Sequence, residues 1–270
     1  MTRDQVLIAA AELAERLKAG ERPAILDVRW QLSEPDGRAA YQQGHLPGAV
    51  YVSLEDELSN HSVAGRGRHP LPSGRDVEAA ARRWGVRRGV PVVVYDDWNR
   101  AGSARAWWVL TAAGIEDVRI LDGGLAAWPD SLESGSVTPE SGDVTVKYDD
   151  LYAGALSTLT AEQAATVPLL DARAPERFRG DVEPIDPVAG HIPGARNVPS
   201  TSLLAGDGRF LRGAEILQRS GEGAIGAYCG SGVTASVVVA ALAAAGVDAA
   251  LFPGSWSQWC SDPTRPVERA

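Results

Sequence analysis

The sequence predicts an α/β protein in which one fold is used twice, and three observations carry that prediction. Short apolar, β-branched runs such as Val92-Val93-Val94-Tyr95 alternate with stretches of helical length, the pattern of a mostly parallel sheet flanked by helices. Five landmarks recur in the same order at similar spacing, which makes the second half of the chain a repeat of the first. Between the passes, residues 129–149 are dominated by Pro, Ser, Gly, Glu and Asp, the composition of a connection. The expected division is a first domain over 1–135, a linker over 136–150 and a second domain over 151–270.

The first pass opens on Thr2-Arg3-Asp4-Gln5, a capping box, followed by a helix whose apolar face would be Val6, Leu7, Ala10, Leu13 and Leu17. A short strand over 24–29 ends in Asp27-Val28-Arg29. Gly44-His45-Leu46-Pro47-Gly48-Ala49 comes next, then a loop holding His61 and His69. A helix over 76–84, a buried strand over 91–95, a helix over 101–113 and a strand over 118–121 follow, closed by Gly123-Gly124-Leu125-Ala126-Ala127-Trp128. The second pass repeats the capping box at Thr160-Ala161-Glu162-Gln163 and the Asp-x-Arg strand at Asp171-Ala172-Arg173. It repeats the glycine-histidine turn at Gly190-His191-Ile192-Pro193-Gly194-Ala195, the buried strand over 224–228, and the closing turn at Gly254-Ser255-Trp256-Ser257-Gln258-Trp259.

Composition narrows the partners. A net charge of −9 argues against nucleic acid, which wants a basic face, and against an anionic lipid surface. No stretch reaches the roughly 20 apolar residues of a bilayer span. The N-terminal stretch reads as an amphipathic helix and not as a secretory signal, because charges interrupt it. Two cysteines, Cys229 and Cys260, make no disulfide framework, and a free reactive thiol suits a reducing compartment, so the expected location is the cytoplasm.

The chemistry concentrates in Ala227-Tyr228-Cys229-Gly230-Ser231-Gly232-Val233-Thr234-Ala235. An apolar strand ends in a cysteine, two glycines flank a serine, and an uncharged run of helical length follows. Strand, tight loop and helix in that order aim backbone N–H groups at the cysteine, a nest that favours an anion and hence a thiolate nucleophile. At the matching place the first half has Tyr95-Asp96, and an aspartate cannot be a sulfur nucleophile. One active site is therefore expected, in the second domain, with the first a catalytically lapsed copy that shapes the cleft.

Tandem Asp-x-Arg, Gly-His-[Leu/Ile]-Pro-Gly-Ala and Gly-Ser-Trp-x-x-Trp together resemble the two-domain rhodanese-type sulfurtransferases over nearly the whole chain, so two tandem rhodanese-like domains are expected. The Cys-Gly-Ser-Gly-Val-Thr-Ala loop is most similar to the 3-mercaptopyruvate sulfurtransferases. The thiosulfate enzymes of the family usually carry a basic Cys-Arg-Lys-Gly loop, and positions 230 and 231 here are Gly and Ser. The resemblance implies sulfur transfer from 3-mercaptopyruvate through a persulfide on Cys229, releasing pyruvate, to a small thiol, cyanide or a thioredoxin-like protein, with no cofactor and no metal. It also implies that Ser231 and His69 relay a proton, with Glu55 or Asp56 completing the relay, where the family pattern has Asp. Arg177 would pair with the donor carboxylate, alongside Gly230, Gly232, Val233 and Thr234. His61 fits less well than His69, and His45 and His191, which repeat each other, read as structural. The family often has a second arginine about nine residues beyond the first, where this chain reads Glu183-Pro184-Ile185-Asp186.

Two rivals remain beside this reading, apart from thiosulfate as the alternative donor. A cysteine phosphatase of related fold needs an arginine six positions after the cysteine, and position 235 is Ala. A non-catalytic persulfide carrier is disfavoured by the joint presence of Cys229, Ser231, His69 and Arg177.

Overall fold

Two parallel sheets form the frame of the computed structural model, which describes residues 1–221, 223 and 225–270. The first holds β1 (Leu7–Ala9), β2 (Ala24–Asp27), β3 (Val50–Tyr51), β4 (Val92–Tyr95) and β5 (Val118–Asp122) in the order β1-β5-β4-β2-β3. The second holds β6 (Leu169–Asp171), β7 (Arg196–Asn197), β8 (Gly226–Tyr228) and β9 (Ala250–Leu251) in the order β7-β6-β8-β9. Every pairing in both sheets is parallel. The order is the same in the two halves, with β1 answered in the second by a single parallel bridge between Thr158 and Leu251. Ala224, placed by the sequence at the start of β8, lies outside the described residues.

The landmarks serve the same purposes twice. Arg29 grips Asp27 at 2.8 Å and Arg173 grips Asp171 at 2.6 Å, both pairs buried, and each arginine also donates to a carbonyl of the glycine-histidine turn. His45 stacks on Tyr41 and His191 on Phe178, each imidazole donating from Nδ1 to that aromatic residue's carbonyl or its equivalent. Tyr95 and Tyr228 each accept an amide hydrogen bond from that turn through their phenol oxygens. These are structural tasks, as the repetition of the two histidines suggests.

One expected element differs. The N-terminal helix is broken: a turn of helix over Arg3–Val6 gives way to β1, and helix resumes over Ala10–Lys18. Leu7 and Ile8 are both buried, on opposite faces of the chain, and β1 supplies the otherwise open edge of β5 with a partner. Edge pairing outweighs helix propensity there, which is a matter of a few tenths of a kcal/mol per residue for such residues.

The core is continuous across the two halves. Helices Ala101–Ala112 and Ala235–Ala244 pack against each other between the sheets, and nearly every residue in both is buried. That is why neither shows an apolar stripe: a helix covered on all sides is apolar all round. Each begins just after the loop that follows the central strand of its own sheet, so both loops open toward the seam between the halves. Residues 136–150 run along the first half, with Val144 buried and Gly142 donating to the Arg82 carbonyl. Gly142 fits only because it lacks a side chain, since a Cβ there would lie 1.9 Å from the Val86 carbonyl oxygen. Among the described residues no helix is long and apolar enough to cross a membrane.

Candidate active site

Cys229 follows β8 directly and is only 2% exposed. Its sulfur accepts the Gly232 N–H at 3.1 Å, and its own N–H and C=O are tied to Ser255 and Trp256 of the closing turn. Gly232 has φ of +82°, and a Cβ on it would meet the Pro253 carbonyl oxygen at 2.4 Å, so glycine alone allows this loop to close beneath the sulfur. Val233 and Thr234 complete the turn into helix Ala235–Ala244, and Ser236 ties the helix back to the Gly232 carbonyl at 3.1 Å. The Gly232 N–H at the start of this turn is placed to hold a developing negative charge on the sulfur.

The first half reaches this turn by a strap over residues 65–69. Gly67, at φ +85°, lets the strap press onto Gly254 of the second half. The Arg68 N–H then bonds Ser257 at 3.1 Å, and Gln258 bonds the Gly65 carbonyl at 2.9 Å. His69 is thereby set against the cysteine loop, with Nδ1 2.7 Å from Ser231 Oγ and Nε2 3.1 Å from Glu55 Oε1. An ionised carboxylate can only accept, so the proton sits on Nε2 and Nδ1 accepts the Ser231 hydroxyl.

Glu55, and not Asp56, is therefore the acidic partner. Asp56 turns instead to Ser53, the N-cap of helix Leu54–Glu57. Glu55 also receives Trp30 Nε1–H at 2.6 Å and His61 Nε2 at 2.9 Å. Burial works against its ionisation, but the His69 hydrogen bond and charge, with Trp30 and His61 behind them, hold it down to about 2. Burial lowers the pKa of His69 in spite of Glu55, and Arg105 adds to that by its charge. His61, half exposed and edge-on to His69, thus sits at the outer end of the Ser231–His69–Glu55 chain, a closer place than its sequence context suggests.

Arg177 lies on the short helix Pro175–Arg179, close by. It is engaged by Glu183 at 2.6 Å and Asp186 at 3.4 Å. Arg68, from the strap, also pairs with Asp186. Burial, reinforced by the like charge of Glu183, pushes Asp186 upward against the pull of Arg68 and Arg177. A Cβ on Gly230 would lie 2.9 Å from Arg68 Nη2 and 3.5 Å from Arg177 Nη1, so two guanidinium edges converge beside the residue that follows the cysteine. Among the described residues neither of those nitrogens donates to a protein acceptor.

Cys229, Gly230, Ser231, Arg68 and Arg177 line one cavity of about 330 Å³, whose wall includes Trp98 and Leu32 from the first half, while His69 stands behind Ser231. A larger cavity of about 520 Å³, between Met1, Trp107 and Lys147, contains none of the nucleophile, relay or arginine side chains. The structure brings together Cys229, Gly230, Ser231, Gly232, Val233, Thr234, His69 and Arg177 from the sequence reading. Cys260 stands apart in the apolar cluster with Trp256 and Trp259, where burial pushes its thiol up to about 11.

Sequence reasoning missed Arg68, Trp30 and Arg105. Arg105 is fully buried and donates to the carbonyls of Leu58 and His69 at 3.0 Å each, clamping the base of the strap. Burial without a carboxylate partner pulls it down to about 10. Its sequence signal is a lone charge in an otherwise apolar helix.

Comparison with known proteins places these features. The model of the rhodanese-like domain matches twice, over residues 9–131 and 154–262. A Mycobacterium tuberculosis protein provisionally named thiosulfate sulfurtransferase SseB is 68% identical over 99% of this chain and 98% of its own. A Pseudomonas aeruginosa protein provisionally named 3-mercaptopyruvate sulfurtransferase is 44% identical over 97% of each chain. The 3-mercaptopyruvate sulfurtransferase of Escherichia coli is 35% identical, again over 97% of each. The crystal structure of SseA from Escherichia coli, described as a 3-mercaptopyruvate sulfotransferase, superposes with a TM-score of 0.80 at 33% identity, covering 95% of this chain and all of that one.

Proposed function

Since the chain belongs to the rhodanese family and is a tandem-domain sulfurtransferase, we propose that it takes sulfur from 3-mercaptopyruvate onto Cys229 and passes it to a thiol or cyanide. The observation that carries this reading is the convergence of Arg68 Nη2 and Arg177 Nη1 beside Gly230, next to a neutral loop. A planar carboxylate fits two guanidinium edges well. Arg68 thus does from the other half of the chain what a second arginine near position 186 would have done.

The Cys229 thiolate attacks the donor sulfur. An S–S bond forms as the C–S bond breaks, and the electron pair of that bond passes to pyruvate as its enolate. The donor's thiol proton moves to the enolate by way of Ser231, whose hydroxyl is oriented by His69 Nδ1 at 2.7 Å. Glu55 fixes the His69 tautomer and stabilises the imidazolium when it forms. The Gly232 N–H steadies charge on the sulfur in both halves of the cycle. A thiolate acceptor, supplied by a small thiol or a thioredoxin-like protein, then removes the outer sulfur and regenerates Cys229. Only Cys229 would carry sulfur, because Asp96 fills its place in the first domain. With both cysteines free, the cytoplasm is the compartment we assign.

Steady-state kinetics with both donors test the reading. A kcat/KM for 3-mercaptopyruvate at least ~10-fold above thiosulfate is expected, about 1.4 kcal/mol of differential transition-state binding. The naming of the Mycobacterium tuberculosis relative as a thiosulfate sulfurtransferase favours thiosulfate as the second reading. Equal or reversed preference would establish that alternative without touching the family assignment.

A further inference from the structure

The two arginines that face Gly230 are held from behind by carboxylates. Asp186 is 4% exposed at its side chain; one oxygen meets Arg68 and the other lies 3.4 Å from Arg177 Nη2. Glu183, equally buried, meets Arg177 at 2.6 Å and also Arg173 at 3.3 Å, Arg173 being paired in turn with Asp171. Three arginines therefore meet three carboxylates, and Arg68 Nη2 and Arg177 Nη1 lie beside the cysteine loop. The arrangement offers a donor anion shape and hydrogen bonds with almost no net charge behind them. Asp186 is the member that touches both Arg68 and Arg177, one from each domain.

We propose that Asp186 sets the donor selectivity of this site, acting through Arg68 and Arg177 as a positioning residue that fixes their geometry while cancelling their charge. The proposal rests on the reading that the donor anion lies against those two arginines. Its physical content is a scaling rule. The interaction between a fixed charge and a bound anion is proportional to the anion's charge. Removing the Asp186 charge therefore helps a dianion twice as much, in free energy, as a monoanion. Thiosulfate is a dianion and 3-mercaptopyruvate carries one carboxylate. An internal carboxylate at this place rejects the first more strongly than the second, while two oriented N–H edges still recognise a planar carboxylate.

Asp186→Asn keeps the shape and removes the charge; Asp186→Glu keeps the charge and serves as the conservative control. Donor kinetics are measured for both, with competitive inhibition by sulfate, a dianion, and pyruvate, a monoanion. If Asp186→Asn improves 3-mercaptopyruvate kcat/KM about 5-fold, thiosulfate should improve about 25-fold, by the proportionality above. The gain should lie in KM, sulfate should tighten more than pyruvate, and Asp186→Glu should leave both ratios near their starting values. A parallel fall for both donors and both inhibitors in Asp186→Asn would reduce Asp186 to a prop for the arginines and overturn the proposal. Unchanged ratios would overturn it too. Circular dichroism and a melting curve show whether each variant is folded; should Asp186→Asn fail, Asp186→Ser, which removes the same charge with a smaller side chain, supplies the same contrast. The donor ratio of the unmodified enzyme tests 3-mercaptopyruvate as donor separately, since the inhibitors report on charge whichever donor prevails.

Discussion

The loop after β4 and the loop after β8 are the same piece of chain with different contents. In the first half, Asp96 fills its own nest: one carboxylate oxygen accepts the N–H groups of Trp98 and Arg100, and the other accepts the N–H and hydroxyl of Ser103. Arg100, in left-handed conformation, folds over that carboxylate at 3.0 Å. In the second half, Cys229 stands in the nest, Gly232 donates to its sulfur, and Ser236, the counterpart of Ser103, bonds to backbone instead. A nest that contains a permanent anion is finished as a structural joint. One whose centre becomes charged only as the thiol ionises or the persulfide forms is still available for chemistry. The first half has Asp96 in place of a cysteine, while its Trp30, Glu55, His69 and Arg105 form a hydrogen-bonded chain to Ser231 of the cysteine loop and its Arg68 faces Gly230.

The hardest test of that contrast exchanges the nucleophile. Cys229→Ser should drop turnover to background, since a serine hydroxyl cannot accept the donor's sulfur. Adding Asp96→Cys to Cys229→Ser should restore nothing, because Arg100 and Trp98 close the first nest and no relay serves it. Mass spectrometry of the unmodified protein after donor treatment should find one added sulfur, on Cys229 and not on Cys260. Turnover by the double variant, or a persulfide on Cys260, would break the comparison.

A second test asks whether the arginines belong to the donor half of the cycle. Arg177→Ala should cost about 1.5–3 kcal/mol in kcat/KM for 3-mercaptopyruvate, the worth of a charge-assisted hydrogen bond. Glu183 and Asp186 would also lose a partner, which places the effect toward the upper end. Transfer from preformed persulfide to an acceptor should be little affected. An equal loss in both half-reactions would remove Arg177 from donor recognition.

The duplicated fold was legible in the sequence because strands, capping boxes and the glycine-histidine turns are local patterns, and central strands and both buried helices lie within two residues of their expected places. The cysteine loop was legible for the same reason. What was not legible depended on contacts between halves. Arg68 follows an exposed-looking Gly-Arg-Gly stretch, and nothing local says that Gly67 presses it against Gly254. The choice between Glu55 and Asp56 hangs on the orientation of one short helix, where adjacent residues point about 100° apart. The N-terminal helix failed at Leu7–Ala9 because the deciding interaction, pairing with β5, is more than a hundred residues away.

The smallest expected effect concerns the cost of keeping the relay in the first half ionised correctly. Folding lowers the Glu55 carboxyl from the usual 4.5 to about 2, burial opposing the shift and His69, Trp30 and His61 driving it. A depressed carboxyl stabilises the fold fully above its unfolded value and loses that contribution as pH falls from about 4.5 toward 2. His69, lowered chiefly by burial, works in the same direction: below about 6.5 the unfolded chain takes up a proton that the folded chain resists. Stability should therefore fall with acid in two overlapping stretches, the upper from His69 and the lower from Glu55. Glu55→Gln should flatten the lower stretch, and His69→Gln the upper one, in denaturant melts taken between pH 7 and 3. Asp96→Asn offers the contrast, since it removes a carboxylate from the joint in the first half and leaves the relay untouched. If all three variants alter the acid limb alike, Glu55 and His69 contribute no more to it than any buried charge. If only Glu55→Gln and His69→Gln reshape it, in the order given, the pH dependence belongs to the relay that the first half lends to the second.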